Sequence, residues 1–244
     1  MAGSQIAASK SRVATAASSL VGTFIAIEGT DGSGKSTIAN RLAQAFREAG
    51  REVVLTREPG GTPIGEEIRS VLFGPAAPGM VAETEMLLFA AARAQHVAEA
   101  IQPALARGAI VVSDRFADSS IAYQAGGRQL PMAQVVAVQR IATGGLEPDL
   151  KILLDLPVAL GLQRRFAVGD GENRLDRETM AFHSRVHAAY NAMVVADPER
   201  WCVIDAVRDV DAVWADVWKA VTAKSPPGSE QRGDAQYAED LAST

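Results

Sequence analysis

Short runs of apolar residues alternate along the chain with longer stretches in which apolar and polar positions follow a helical period. The short runs have the length and the Val, Ile and Leu content of strands buried on both faces, and they cover Thr23–Glu28, Glu52–Thr56, Ala109–Ser113, Leu150–Asp155 and Trp201–Asp205. The amphipathic stretches between them predict helices, the clearest at Ser36–Ala49, Thr84–Arg107 and Met132–Thr143. Such alternation implies right-handed crossovers, so the pattern predicts an α/β fold with a five-stranded parallel sheet flanked by helices.

The two ends of the chain differ from the middle in composition. The chain has 244 residues, of which 48% are hydrophobic, and this is enough for one core, so we expect a single domain over 21–223. Residues 1–20 are rich in Ala and Ser and contain no acidic residue, which predicts a disordered extension or, as the alternative, a transit peptide. Residues 224–244 are rich in Pro, Gly, Ser, Glu and Asp and predict a disordered tail.

The charge and cysteine content narrow the function classes. The formal net charge is −5, which argues against general binding of nucleic acid or membrane surfaces. No apolar run approaches the roughly 20 residues that a membrane helix needs. The single cysteine, Cys202, excludes an intramolecular disulfide and a cysteine-based zinc cluster, and its apolar surroundings predict a buried strand position. We expect a cytoplasmic protein, with organellar import through the extension as the alternative.

A phosphate-binding motif follows the first predicted strand. Gly29 to Ser36 fits the pattern G-x-x-x-x-G-K-[ST], and the helical stretch begins at its end, which is the context that the motif requires. Glycines allow backbone N–H groups to surround a phosphate, while Lys35 is placed for the β- and γ-phosphates and the Ser36 hydroxyl for Mg²⁺. The residues predicted to bind ATP are Gly29, Thr30, Asp31, Gly32, Ser33, Gly34, Lys35, Ser36 and Thr37. The motif indicates a nucleoside triphosphate and a magnesium ion but no particular reaction.

Charged residues also follow the other strands. Asp31, Arg57 and Arg115 all come after predicted strands, and parallel strands place their carboxyl ends on one edge of the sheet. Each could be an ordinary surface charge or a helix cap. Two arginines beside a nucleotide indicate a second anion, because guanidinium groups bind phosphate bidentately. A kinase that acts on a hydroxyl would instead place a carboxylate base there, so the arginines favour an acceptor that already carries a phosphate.

One helix face carries an aromatic ring and an arginine. Phe89, Arg93 and His96 are spaced so that they share a face of the helix predicted at Glu83–Arg107. Phe89 could belong to the core and Arg93 could be a solvated charge. As the alternative, the two residues could hold a base by stacking and by edge hydrogen bonds. His96 is interpreted as structural.

Several segments, taken together, resemble the thymidylate kinase family, the nucleoside monophosphate kinases for dTMP. They are 24–37, 56–62 with 67–69, 85–93, and 114–124, and they occur in order between about residues 22 and 220. The resemblance implies a three-layer P-loop NTPase fold with a short lid and a homodimer. It also implies transfer of the γ-phosphoryl group of ATP to dTMP, with Mg²⁺, in dTTP biosynthesis.

The resemblance implies roles around the acceptor phosphate and sugar. Asp31 corresponds to the carboxylate that meets the sugar 3′-hydroxyl and orients dTMP. Arg57 and Arg115 correspond to the clamp on the dTMP phosphate. Tyr123 resembles the ring that closes the space at the sugar 2′ position and selects deoxyribose. Asp114 corresponds to the carboxylate near Mg²⁺, which joins Ser36 as a predicted metal-site residue.

The resemblance also implies roles around the base. Phe89 corresponds to the stacking partner of thymine, and Arg93 to the donor to a thymine carbonyl. Ser120 and Gln124 fall at positions that line the acceptor pocket in the family.

The family uses a mobile lid, which corresponds here to about 163–176. Some members carry an arginine at the loop position of Gly32, whereas others rely on lid arginines, so Gly32 predicts that the lid supplies the remaining positive charge. Arg164, Arg165 and Arg174 are the candidates, and which one reaches the phosphates stays open because solvated helix surface also explains the first two. The residues predicted to take part in transfer are Asp31, Lys35, Arg115, Arg164 and Arg165.

Two other functions are compatible with a phosphate loop. A deoxynucleoside kinase would phosphorylate thymidine rather than dTMP. A P-loop switch or regulatory ATPase would hydrolyse its nucleotide without an acceptor, and a GTPase switch would need an Asn-Lys-x-Asp guanine motif, which the sequence lacks.

Overall fold

A computed structural model of the chain describes residues 22–74, 77–168 and 173–223. The strands are β1 (Phe24–Glu28), β2 (Val53–Arg57), β3 (Ile110–Asp114), β4 (Leu150–Asp155) and β5 (Trp201–Asp205). The α-helices are α1 (Lys35–Glu48), α2 (Pro63–Phe73), α3 (Ala82–His96), α4 (Gln102–Ala106), α5 (Ala117–Ser120), α6 (Met132–Thr143), α7 (Val158–Val168), α8 (Met180–Ala196) and α9 (Val210–Ala223). Two π-helical segments, Val97–Ile101 and Ile121–Gly127, follow α3 and α5, and a short 3₁₀ turn spans Ala77–Gly79.

All five strands are parallel and lie in the order β2-β3-β1-β4-β5. The predicted five-stranded sheet is therefore confirmed, and β4 and β5 have the predicted bounds. In β2 and β3 the ladder runs one residue further than the apolar runs, because Arg57 pairs with Asp114 in register. The polar residues that follow β1, β2 and β3 consequently meet at one edge of the sheet.

Helices cover both faces of the sheet, so the fold has the three layers that were predicted. Alternate residues of β1 point to opposite faces: Ile25 and Ile27 pack in the core beneath α1 and α9, and Phe24 and Ala26 pack with the π-helical segment after α3. A third cluster joins β4 and β5 to α8 and to the π-helical segment after α5. The sheet is thus held on both sides, and its carboxyl edge is left for the loops.

The helix predicted at Thr84–Arg107 is not continuous. It begins at Ala82, changes to π-helical geometry at Val97–Ile101 and resumes as α4. Pro103 lacks a backbone N–H, and its ring would meet the carbonyl of Glu99 in a regular α-helix, so the wider turn accommodates it.

Several predictions fall partly outside the described residues. The N-terminal extension 1–20 and the tail 224–244 lie wholly outside them. Of the predicted lid, 163–168 belongs to α7 and 173–176 forms a turn before α8, while 169–172 lies outside the description. Within the described ranges no helix is long and apolar enough to cross a membrane.

Candidate active site

A cavity of about 490 Å³ opens at the carboxyl edge of the sheet, over the loop between β1 and α1. Most of the residues predicted from the sequence line it together: Asp31, Gly32, Gly34, Lys35, Ser36, Thr37, Arg57, Phe89, Arg93, Asp114, Arg115, Ser120, Tyr123, Gln124, Arg164 and Arg165. Gly29, Thr30 and Ser33 belong to the same loop without lining the cavity. Residues that the sequence reasoning did not assign to the site also line it: Glu58, Pro59, Arg69, Phe73, Ser119, Asn173 and Leu175.

The phosphate loop presents Lys35 and the open N-terminus of α1. The Lys35 Nζ donates to the carbonyl oxygen of Thr30 at 2.7 Å, and burial lowers the pKa of this ammonium to about 8, with the positive charge of Arg115 acting in the same direction. No side chain caps the first turn of α1, whose N-cap is Gly34. Uncapped N–H groups and a buried cation at a helix N-terminus form a site for an anion.

Asp31, Arg115 and Tyr123 form one polar cluster that lines the cavity together with Lys35. Arg115 Nη2 lies 2.5 Å from Asp31 Oδ1, and the Tyr123 hydroxyl donates to Asp31 Oδ2 at 2.7 Å. Burial would raise the pKa of Asp31, but the charges of Arg115 and Lys35 outweigh it and hold this pKa at about 2. Asp31 is therefore ionised at neutral pH. The Arg115 guanidinium also lies over the Tyr123 ring, 5.0 Å from its centroid.

A buried carboxylate below this cluster holds the backbone and hydroxyls around Arg115. Glu28 accepts from the Phe116 N–H at 2.7 Å, from the Ser119 hydroxyl at 2.6 Å and from the Tyr190 hydroxyl at 2.8 Å. The same two hydroxyls accept from Arg115 Nη1, at 3.1 Å and 3.4 Å. Sequence reasoning missed this role. Glu28 was visible as the acidic residue directly before the loop, but nothing in the sequence linked Tyr190 of α8 to it.

Replacing Glu28 with glutamine is expected to change how stability depends on pH. Burial, together with the charge of Asp118, raises the pKa of Glu28 from 4.5 to about 7. Between these values the folded protein keeps a proton that the unfolded chain has released, so this group makes stability fall as pH rises from 4.5 to 7. A shift of this size corresponds to on the order of 3 kcal/mol. Urea unfolding of both proteins across that pH range should show a flatter curve for Glu28→Gln. The exposed Glu67→Gln serves as the control, and parallel curves for wild type and Glu28→Gln would contradict the prediction.

The aromatic side of the cavity includes Phe89 of α3. Phe89 packs edge-on against Phe73, with 6.3 Å between the ring centroids, and both rings line the cavity. Gln124 donates to the buried carboxylate of Glu85 at 2.8 Å, which fixes the orientation of its amide.

Arg93 is only 1% exposed, and its guanidinium is fully engaged by neighbouring groups. It donates to the Glu58 carboxylate at 2.7 Å, to the Ser120 hydroxyl at 2.9 Å and to two further acceptors, the Gln139 side-chain oxygen and the Phe116 carbonyl. A ligand can contact this guanidinium only by sharing or exchanging one of these partners.

His96 lies behind Arg93 and is buried between two polar groups. Its Nδ1 lies 2.9 Å from Glu58, and its Nε2 lies 2.6 Å from the Thr56 hydroxyl. It is not among the residues that line the cavity, which agrees with its interpretation as structural.

Two further arginines lie where β2 leads into α2. Arg57 is half-exposed and pairs with Glu66 at 3.1 Å. Arg69 donates to the Pro59 carbonyl at 2.9 Å, and burial together with the nearby charge of Arg57 lowers the pKa of Arg69. Two cations held this close favour an anion between or beside them.

Ser36 and Asp114 supply oxygen atoms beside the phosphate loop. The Ser36 hydroxyl donates to Asp114 Oδ2 at 2.5 Å, and both residues line the cavity. Hard oxygen donors of this kind suit Mg²⁺, which usually takes one or two protein ligands and completes its shell with water and phosphate. Among the described residues, no group of three or more His, Cys, Asp or Glu side chains is arranged to hold a metal by itself.

The candidate lid arginines have different partners. Arg164 donates to the carbonyls of Ala206 at 2.7 Å and Val207 at 2.9 Å, and Arg165 pairs with Asp176 at 3.1 Å. Both line the cavity. Arg174 instead pairs with the buried Glu85 at 2.6 Å and is not among the cavity-lining residues.

The chain is similar to known proteins over the same region that builds this site. The sequence profile of the family described as thymidylate kinase matches residues 27–217. A thymidylate kinase of Thermomicrobium roseum is 51% identical over 199 residues, which cover 82% of this chain and 94% of that relative. One from Pseudomonas putida is 47% identical over 196 residues, covering 80% and 93%.

A solved structure agrees with the sequence comparison. The thymidylate kinase of Ehrlichia chaffeensis superposes with a TM-score of 0.68 at 32% identity, covering 82% of this chain and 97% of that one. Profile, relatives and fold coincide over the residues that carry the phosphate loop, the arginines and the aromatic pocket. The chain belongs to the thymidylate kinase family.

Proposed function

We propose that the chain transfers the γ-phosphoryl group of ATP to dTMP, giving ADP and dTDP for dTTP biosynthesis, with Mg²⁺. One observation carries the proposal: the ion pair of Asp31 and Arg115 joins the phosphate loop to an arginine-rich pocket within a single cavity. A donor phosphate on the loop and an acceptor phosphate on the arginines would then lie side by side. The proposal is supported by the membership of the thymidylate kinase family.

The donor is bound by the loop and by Lys35. On ATP binding the Lys35 ammonium exchanges the Thr30 carbonyl for phosphate oxygens, since it already lies within the loop. Ser36 and Asp114 would hold Mg²⁺, which would supply positive charge to shield the phosphates of ATP. The backbone N–H groups at the start of α1 complete the anion site.

The acceptor phosphate is bound by Arg57 and Arg115, and Arg69 adds a third positive charge beside Arg57. The attacking oxygen of dTMP is already anionic, so it needs alignment and charge shielding rather than a base. Asp31 therefore serves to orient Arg115 and the sugar 3′-hydroxyl. Its lowered pKa, about 2, makes it an acceptor of hydrogen bonds throughout the neutral range.

The nucleoside is recognised by the aromatic side of the cavity. Phe89 stacks on thymine, and Arg93 reaches a thymine carbonyl by exchanging its contact with Ser120, which is the one side-chain hydroxyl among its partners. Gln124 lines the pocket with its amide already oriented. Tyr123, held by Asp31 and backed by Phe182, closes the space at the sugar 2′ position.

Positive charge at the transferred phosphoryl group comes from α7. Gly32 carries no side chain to supply it, and Arg164 and Arg165 of α7 line the cavity. Either side chain would leave its present partner to reach the phosphates, as expected for a lid that closes over bound substrates.

An acceptor panel tests the proposed reaction. Purified protein with ATP and Mg²⁺ should convert dTMP to dTDP, leave thymidine unchanged and hydrolyse little ATP when no acceptor is present. Some activity on dUMP is expected, because one methyl group contributes only about 1–3 kcal/mol of discrimination. Phosphorylation of thymidine in preference to dTMP, or hydrolysis that no acceptor stimulates, would replace this function with one of the two alternatives.

A homodimer is also proposed, on the family likeness alone. Exposed apolar side chains on α3 and α6, such as Leu87, Met132 and Val136, are compatible with a covered surface there.

A further inference from the structure

The first turn of α7 lies directly against the backbone of the phosphate loop. The approach is closest between Gly32 of the loop and Gly161 of the helix. A Cβ atom at Gly32 would overlap the carbonyl of Gly161, and the Cα of Gly161 would lie only 3.1 Å from it. Two main chains can approach this closely only when neither carries a side chain at the point of contact.

Gly161 is the informative partner of this pair. Gly32 has a φ of 77°, so its backbone alone favours glycine. Gly161 has no such requirement, because its φ lies outside the left-handed region and it lies at the end of the first helical turn, where alanine is normally the better residue. A Cβ at Gly161 would nevertheless lie 2.6 Å from the carbonyl oxygen of Asp31. Contact with the loop, and not helix geometry, explains a glycine here.

The contact sits on the helix face that carries the arginines. Arg164 and Arg165 follow Gly161 by three and four residues, so they project from the same side one turn further on. Both line the cavity, and their own partners, the Ala206 carbonyl and Asp176, lie on other elements. The depth at which α7 meets the loop therefore sets how far these two guanidinium groups reach over the phosphates.

We propose that Gly161 is a positioning residue for phosphoryl transfer. Its missing side chain lets α7 rest on the main chain of Asp31 and Gly32, which places Arg164 and Arg165 at the transferred phosphoryl group. This inference rests on the role proposed above for the two arginines. It also explains why the arginine that other members carry in the loop is incompatible with this chain, since any side chain at position 32 would displace α7.

The substitution Gly161→Ala tests the proposal because the two explanations of this glycine predict different results for the unfolding midpoint and for kcat. If the residue matters only for the helix, alanine should raise the unfolding midpoint and leave kcat unchanged. If the contact positions the arginines, kcat should fall by about 10- to 100-fold, as for misplacement of catalytic groups by about 1 Å. The KM for dTMP and the Kd for a non-hydrolysable ATP analogue should change little, and the unfolding midpoint should not fall. Gly161→Val should give a larger loss of kcat.

Gly79→Ala is the matched control, because it adds the same methyl group where no atom of the described residues lies within 4 Å and the φ is ordinary. It should leave kcat unchanged. An unchanged kcat in Gly161→Ala overturns the inference, and so does a loss of kcat that accompanies either a lower unfolding midpoint or weaker binding of the ATP analogue.

Arg164→Ala and Arg165→Ala, measured in the same series, separate this inference from the proposed function. If at least one of them lowers kcat and Gly161→Ala does not, only the positioning role fails. If both variants retain wild-type kcat, the proposed role of the lid arginines is wrong, and the positioning role of Gly161 is then wrong as well. Loss of dTMP phosphorylation in the wild-type protein would instead refute the proposed reaction.

Discussion

Replacing Arg115 with alanine is expected to lower kcat for dTMP phosphorylation by about 10²–10³-fold, the usual cost of removing a group that stabilises developing charge. The Kd of an ATP analogue should change little, because the loop, Lys35 and the N-terminus of α1 remain. Steady-state kinetics and calorimetric titration of the analogue measure the two quantities separately. The expected separation follows from the position of Arg115, which contacts Asp31 and Tyr123 on the acceptor side of the cavity.

Two further variants make the Arg115 result specific. Arg115→Lys keeps a charge but loses the planar, bidentate group, so kcat should stay well below that of the wild type. Arg41→Ala removes an arginine that pairs with Asp211 on the surface and should leave kcat unchanged. Equal losses of ATP affinity and of kcat in Arg115→Ala would show that the acceptor site has been assigned to the wrong place.

Replacing Lys35 with alanine is expected to impair the donor side instead. The kcat/KM for ATP should fall by about 10²–10³-fold, and binding of the ATP analogue should weaken as well, because Lys35 is the only lysine among the described residues that lines the cavity. Binding of dTMP in the absence of ATP should be retained. Binding of the ATP analogue therefore distinguishes the two substitutions, because Arg115→Ala should retain it and Lys35→Ala should weaken it.

A conservative variant and a control on the exposed side of α1 make the Lys35 result specific. Lys35→Arg keeps the charge, but the larger group has to fit where the ammonium is now buried against the Thr30 carbonyl, so only part of the activity should return. Gln44→Ala, on the exposed side of α1, should be neutral. If Lys35→Ala left ATP binding intact, the loop would have to bind something other than the triphosphate.

The parts of the fold that could be predicted are those that neighbouring residues in the sequence determine. The five strands are short and rich in Val, Ile and Leu, and three of them, β1, β3 and β4, are largely buried. The phosphate loop has a fixed spacing between a strand and a helix. Rules for parallel sheets then placed Asp31, Arg57 and Arg115 at one edge, where the structure brings them into one cavity.

The rest depended on contacts between distant parts of the chain. Tyr190 meets Glu28 across 162 positions, and no pattern within α8 marks that hydroxyl as part of the site. Spacing could not separate the alternatives for the lid arginines, because Arg174 differs from the other two through its distant partner Glu85 and its position outside the cavity lining. The sequence also contained no sign that Gly161 of α7 is part of the site, because the contact that requires a glycine is made with a loop about 130 residues earlier.

The fully engaged guanidinium of Arg93 has a consequence for the thermodynamics of base recognition. Arginine normally loses much rotational freedom when it is immobilised on a ligand, at a cost of about 0.5–1.5 kcal/mol. Here Glu58, Ser120, Gln139 and the Phe116 carbonyl have already fixed the side chain before any nucleotide arrives. On the proposed role of Arg93, binding of a base would therefore add little entropic cost for this residue. Differences in affinity between bases would then come from their shape and from the hydrogen bonds that each base exchanges with the present partners of Arg93.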